Sequence, residues 1–323
     1  MEISTDMLLK LLLVAILLNI AGCGEAKQNN TAIETTEVQA KNPQEKLQVT
    51  VSILPQKYFV EKIGGDLVSV NVMVEAGAVA ETYEPKPQQL AQLASSRVYF
   101  AIGVPFEETW LKKITAANSN IPIINTGEGI EKIPLVGQSH HGHENGHEPT
   151  HKQENQHEKH KQIPDPHIWL SPRLVKIQAE RIYETLSKVD QKNEHYYRKN
   201  LENFKKEIEN IDKRIREILA DIKRRKYIVY HPAWGYFARD YNLQQIPLEV
   251  EGQEVSSVQL AKLINQAKQE GIRHVFAPPQ FNSKTLEIFA REIGGQVVII
   301  DDLAENWAEN LLITAEKLAQ SMR

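Results

Sequence analysis

Short runs of β-branched and aromatic residues, each followed by a stretch with helical spacing, fall into two blocks separated by a long segment that carries none. In the first block Leu47 to Ile53, Val68 to Val74, Val98 to Ile102 and Ile121 to Ile124 read as strands. A helix opened by Pro55 and stopped at Gly64-Gly65, one near Pro87 to Ser95 and one near Phe106 to Ala117 lie between them. In the second block the strands are Tyr227 to Tyr230, Ile272 to Ala277 and Val297 to Ile300, with helices over Ser257 to Glu270 and Ser283 to Glu292. This alternation predicts an α/β chain with two Rossmann-like lobes, each an open parallel sheet covered by helices, with binding groups at the carboxyl ends of strands. The intervening segment, Pro172 to Val189 and Glu194 to Ile222, carries Leu201, Phe204, Ile208, Ile211, Ile215, Ile218 and Leu219 at helical spacing. Packing of this helical region onto a lobe is expected in preference to a free coiled coil. It joins the lobes more stiffly than a Gly/Ser hinge would, and the ligand site is expected in the cleft between them.

At about 150 residues per domain, 323 residues agree with two lobes. A composition 41% hydrophobic and 25% charged excludes a polytopic membrane protein and a wholly disordered chain. The formal charge of −4 gives no electrostatic reason to bind nucleic acid. No G-x-G-x-x-G or G-x-x-x-x-G-K-[ST] pattern is present, so no motif supports a nucleotide cofactor. The single cysteine, Cys23, permits neither an intramolecular disulfide nor a thiolate zinc cluster.

The apolar run from Met7 to Ala21 is short for a membrane span and reads as the core of a secretory signal. Glu2 and Asp6 fit a positive leader poorly, which makes initiation at Met7 an alternative. Ile20-Ala21-Gly22-Cys23 resembles the bacterial lipobox, which implies cleavage before Cys23 and its lipid modification. Residues 1–22 are thus expected to be a lipoprotein signal peptide, and residues 23–46, rich in Gln, Asn, Thr, Glu and Lys, a lipidated cysteine and disordered tether. The folded part is expected as an N-terminal lobe over 47–170 with a His-rich loop at 139–162, a linker helix over 171–190 and a C-terminal lobe over 191–323.

The His-rich loop holds His140, His141, His143, His147, His151, His157 and His160 among glutamates and lysines. Imidazoles with nearby carboxylates can collect borderline metal ions, and their uneven spacing predicts several weak arrangements rather than one fixed site. His167 follows in Asp165-Pro-His167-Ile-Trp169-Leu-Ser-Pro172, where Trp169 and Leu170 supply a buried anchor and Asp165 is placed to orient the imidazole. His231 stands where the Tyr227 strand ends and Pro232 can begin a helix. Asp301 follows the Val297 strand, and Glu81 lies in the Pro-rich loop from Glu75 to Pro87. These four strand-end or loop positions supply two nitrogens and two carboxylates.

Taken in order, the lipobox, the Glu75 to Pro87 loop, the His-rich insertion, the Asp165 to Pro172 motif, the His231 to Phe237 motif, Phe276-Ala-Pro-Pro-Gln-Phe281 and Asp301 resemble the ZnuA/TroA/PsaA-like solute-binding proteins. These are the cluster A-I metal-binding lipoproteins, which deliver zinc or manganese to ABC importers. The resemblance implies two α/β lobes joined by a long rigid helix and one metal ion held in the interlobe cleft. It implies release of that ion to a membrane permease, and it places His167, His231 and Asp301 on metal-binding positions. Two residues depart from the family pattern. Glu81 stands where the Gly-Ala-x-x-His-x-Tyr-Glu-Pro pattern has histidine, and Pro278 replaces the acidic residue of Phe-x-Glu-Pro-Gln-Phe.

The expected metal set is Glu81, His167, His231 and Asp301. Zn2+ is the expected cargo, since intrinsic affinity places it above manganese and iron and the His-rich loop leans the same way; Mn2+ or Fe2+, which accept bidentate carboxylates, are the alternatives. An extracytoplasmic, lipid-anchored, monomeric carrier that is not an enzyme follows. A zinc hydrolase would need an open coordination position and a base placed to activate water. A surface adhesin is the other rival; of Trp110, Trp169, Trp234 and Trp307, at least three are expected to support packing rather than a partner contact.

Overall fold

The computed structural model describes residues 45–80, 82–117, 119–135, 163–250, 252–281 and 283–323. The expected signal peptide, Cys23, the tether up to residue 44, Glu81 and the seven histidines of the His-rich loop lie outside the described residues. Among the described residues, no helix is long and apolar enough to cross a membrane.

The first sheet has four parallel strands in the order β2-β1-β3-β4, formed by β1 (Leu47–Val51), β2 (Val68–Val72), β3 (Val98–Ala101) and β4 (Ile123–Asn125). Three helices connect these strands: α1 (Leu54–Gly64), α2 (Pro87–Ala94) and α3 (Pro105–Ala117). A buried carboxylate ties the carboxyl ends of β1 and β3 together. Glu107 accepts hydrogen bonds from the Ser52 hydroxyl at 2.5 Å and from the Ile102 and Gly103 amides at 2.8 Å. Burial pushes its carboxyl up, and these three donors pull it back.

The second sheet repeats the plan with β5 (Lys226–Val229), β6 (Gln244–Pro247), β9 (His274–Ala277) and β10 (Gln296–Ile299), all parallel, in the order β10-β9-β5-β6. Its helices are α6 (Gly235–Asp240), α7 (Ser257–Gln269), α8 (Lys284–Glu292) and α9 (Trp307–Met322). A two-stranded antiparallel hairpin, β7 (Glu249–Val250) and β8 (Gln253–Glu254), follows β6.

Between the sheets run α4 (Pro172–Val189) and α5 (Glu194–Ile218). Pro172 starts α4 and the Ser171 hydroxyl caps it by accepting from Leu174 N. Tyr197, Leu201, Phe204, Ile208, Ile211 and Ile215 form one buried face of α5. That face lies against α4, α1 and α9, so the helical region packs into the fold as expected, although α5 ends at Ile218 rather than Ile222. One hydrophobic core runs from β1 and α1 through α4 and α5 to Trp307 and α9. Trp307 stands edge-on to Phe59, with ring centroids 5.2 Å apart, and its indole Nε1 donates to Trp169 O at 2.7 Å. Trp169, Trp234 and Trp307 are all buried, which agrees with their expected packing role.

Candidate metal centre

The carboxyl ends of the second sheet's strands carry most of the site. β5 ends at Val229, and His231 follows in a tight segment, Pro232 to Trp234, that precedes α6; the helix begins at Gly235, three residues later than Pro232 suggested. Buried Gln245 of β6 shapes this segment, accepting from Trp234 N at 3.1 Å and donating to Pro232 O at 3.2 Å. His167 precedes a short 3-10 turn, Ile168–Leu170. The backbone two residues before it is held from the second-sheet side by Tyr236, whose hydroxyl donates to Asp165 O at 2.9 Å.

The two histidines meet. Their Nε2 atoms are 3.2 Å apart, and the residues are only 3% and 7% exposed. Each ring also has a buried carboxylate on its other nitrogen: Asp165 Oδ1 lies 2.7 Å from His167 Nδ1, and Glu249 Oε1 lies 3.2 Å from His231 Nδ1. A carboxylate on Nδ1 selects the tautomer whose Nε2 lone pair is free for a metal. Two such lone pairs facing each other repel unless something electrophilic lies between them. Zn–N bonds of about 2.0–2.1 Å give a tetrahedron edge of roughly 3.3 Å, so one ion can touch both nitrogens with almost no ring movement. Aromatic neighbours fix the ring planes: Phe281 stacks on His231 at 11° and 5.7 Å, and Trp169 tilts against His167 at 5.1 Å.

Asp302 completes the cluster. One ligand atom each from His167, His231 and Asp302 lie within 4.8 Å of one another, and this is the group with metal-binding spacing among the described residues. Asp302 is buried, its Oδ1 accepts from Gln280 Nε2 at 3.3 Å and its carbonyl accepts from Trp169 Nε1 at 2.6 Å. Asp301, the residue expected from the sequence, is not in this group. Its Oδ1 accepts the Leu303 amide at 2.8 Å, so the carboxylate caps its own turn while the next residue faces the imidazoles. Burial pushes the Asp301 carboxyl up, the Leu303 amide opposes that, and the neighbouring Asp302 charge adds to it. Sequence reasoning also missed Glu249, Gln245 and Gln280. The loop bearing Glu81 is closed by a Lys86–Glu75 ion pair of 2.6 Å; Gln89 accepts from Tyr83 OH and donates to Met73 O.

The division of labour between the adjacent aspartates is testable. Asp302→Asn should weaken zinc binding by about tenfold or more, and Asp301→Asn by clearly less, in competition against a chelator of known affinity. A larger loss at Asp301 would restore it to the ligand set.

Comparison with known proteins gives the family and the fold. The family model described as ZnuA, zinc-uptake complex component A, periplasmic, matches residues 49–321. The chain belongs to the ZnuA family. The high-affinity zinc uptake system protein ZnuA of Bacillus subtilis (strain 168) is 26% identical over 295 residues, covering 90% of this chain and 86% of that protein. A zinc-bound ZnuA deletion mutant of known structure is 44% identical, with a TM-score of 0.76, covering 86% of this chain and 98% of the other. A second ZnuA crystal structure is 43% identical, with a TM-score of 0.77, covering 86% and 100%. ZnuA-type structures thus share both the two-sheet fold and, at this identity, much of its sequence.

Proposed function

We propose that this chain is the extracytoplasmic zinc-binding component of an ABC import system. In this reading it captures Zn2+ between its two α/β lobes and hands the ion to a membrane permease. The observation that carries the proposal is the facing pair of buried Nε2 atoms, 3.2 Å apart, each backed by its own carboxylate. Membership of the ZnuA family and the zinc-bound state of a 44% identical relative support zinc as the cargo.

The proposed ligand set is His167, His231 and Asp302, with Glu81 as a fourth oxygen donor in place of the family's histidine. Carrier action breaks no bond, so no catalytic residue is assigned. Lipid on Cys23 and the tether to residue 46 hold a monomeric body at the membrane, and the histidines from His140 to His160 raise the rate at which scarce metal is met.

A competition series for zinc, manganese and ferrous iron on demetallated protein tests the proposal, with bound metal counted by elemental analysis. Zinc should bind most tightly; Glu81→Ala should weaken it and Glu81→His should restore it. Preference for manganese or iron, or affinity indifferent to the cleft residues, would overturn zinc as the cargo.

A further inference from the structure

Among the described residues the β7–β8 hairpin has no counterpart beside the first sheet, and one glutamate from each of its strands grips one of two consecutive residues just after β5. Glu249 and Glu254 are direct cross-strand partners in the antiparallel ladder, which puts their side chains on one face of the hairpin. Glu249 reaches His231 Nδ1 at 3.2 Å. Glu254 accepts the Tyr230 hydroxyl at 3.0 Å, the Thr285 hydroxyl at 2.5 Å and the Ser283 hydroxyl as well. Ser283 is also the cap of α8. The base of the hairpin is closed by Val255 N to Leu248 O at 3.2 Å and tied to β5 by Leu248 N to Val229 O at 2.8 Å. Glu249 is buried while Glu254 is largely exposed, so the inner carboxylate faces the metal centre and the outer one faces the surface.

We propose that the hairpin is a positioning device for the metal centre, in which Glu249 fixes the tautomer of His231 and Glu254 holds the hairpin where Glu249 can do so. The inference rests on the zinc-carrier reading given above. A carboxylate can only accept at Nδ1, so it enforces Nδ1–H and leaves Nε2 unprotonated, the form that can bind an ion. An amide of the same shape offers either a donor or an acceptor, and the tautomer ceases to be enforced. Glu254 touches no ligand; removing it frees the hairpin from Tyr230 and from the start of α8, and its effect must pass through Glu249.

The test uses the full chain with zinc as the probe. Glu249→Gln should raise the zinc Kd about 10- to 100-fold. In the metal-free protein near pH 8, the ring 15N shifts of His231, assigned by their loss in His231→Gln, should move from the Nδ1–H tautomer to a mixture. Glu254→Ala should raise the Kd by roughly two- to tenfold, and the double variant should bind no more weakly than Glu249→Gln alone. A Kd within twofold of the parent with unchanged 15N shifts in Glu249→Gln overturns the role of Glu249; additive losses in the double variant overturn that of Glu254. His167→Ala separates the two readings. If it leaves the parent's zinc affinity unchanged, the cleft is not the zinc site and the proposed function falls; if it abolishes binding while Glu249→Gln binds normally, only the positioning inference falls.

Discussion

Replacing His167 or His231 with alanine should weaken zinc binding on the order of a hundredfold for each, because a four-ligand zinc site worth about 10–16 kcal/mol contributes roughly 3 kcal/mol per ligand. The two losses should not add. Once one imidazole is gone, the facing Nε2 at 3.2 Å has lost the partner that made the pocket selective for an ion, and the second substitution removes less. Acid should mimic the substitution. Both imidazoles must be neutral to ligate, so affinity should fall steadily from about pH 7.5 to about pH 5, the direction set by protons competing with the metal for Nε2. Isothermal titration or chelator competition on the demetallated protein measures both effects. Equal affinity at the two pH values, or an unaffected alanine variant, would remove the histidines from the ligand set.

The second large effect concerns the joint between the lobes. Trp307→Ala should destabilise the folded chain by about 3–5 kcal/mol, the cost of emptying a buried tryptophan site that cannot collapse. The indole is 1% exposed and touches Phe59 and Tyr58 of α1 as well as Phe204 of α5. It also donates to Trp169 O, and Trp169 in turn donates to the carbonyl of Asp302. Trp307→Phe keeps most of the packing and loses only the first of these bonds, so its cost should be nearer 1–2 kcal/mol. Urea unfolding followed by tryptophan fluorescence and circular dichroism measures the difference. A loss below about 1 kcal/mol for the alanine variant would show that α9 does not hold the two halves of the core together.

Most of the α/β framework was legible because strand and helix periodicities differ and because Pro and Gly punctuate them. α4 matches its predicted span, Pro172 to Val189, since proline and a serine cap mark its start in the sequence itself. α9 was not read, although Trp307, Leu311, Ala315, Leu318 and Met322 repeat at helical spacing; that signal was available. β6 was missed for a different reason. Gln244–Pro247 is short and half polar, and its strand character comes from pairing with β5 rather than from its own residues.

At the centre, His167 and His231 were legible as polar residues at the ends of ordered segments. The choice between Asp301 and Asp302 was not, because two adjacent carboxylates at a strand end carry the same local signal. What separates them is tertiary: an amide at Leu303 occupies one, and the Trp169 indole aims the backbone of the other. Glu249 gave no signal at all, since its two-residue strand exists only as part of a hairpin folded back onto the end of β5.

The chain leaves for the His-rich segment and returns from it through one narrow gate. Pro134 and Pro164 form a bridge, Leu135 N bonds to Ile163 O at 2.9 Å and Asp165 N bonds to Ile133 O at 2.8 Å, only two residues before His167. With both ends pinned side by side, the entropy of closing the segment between them depends only logarithmically on its length, about 0.6 kcal/mol for each doubling. Insertions and deletions between residues 135 and 163 therefore change that closure cost little. The number of histidines between those two anchors can change residue by residue, while the two imidazoles that face each other stay fixed by the folded chain.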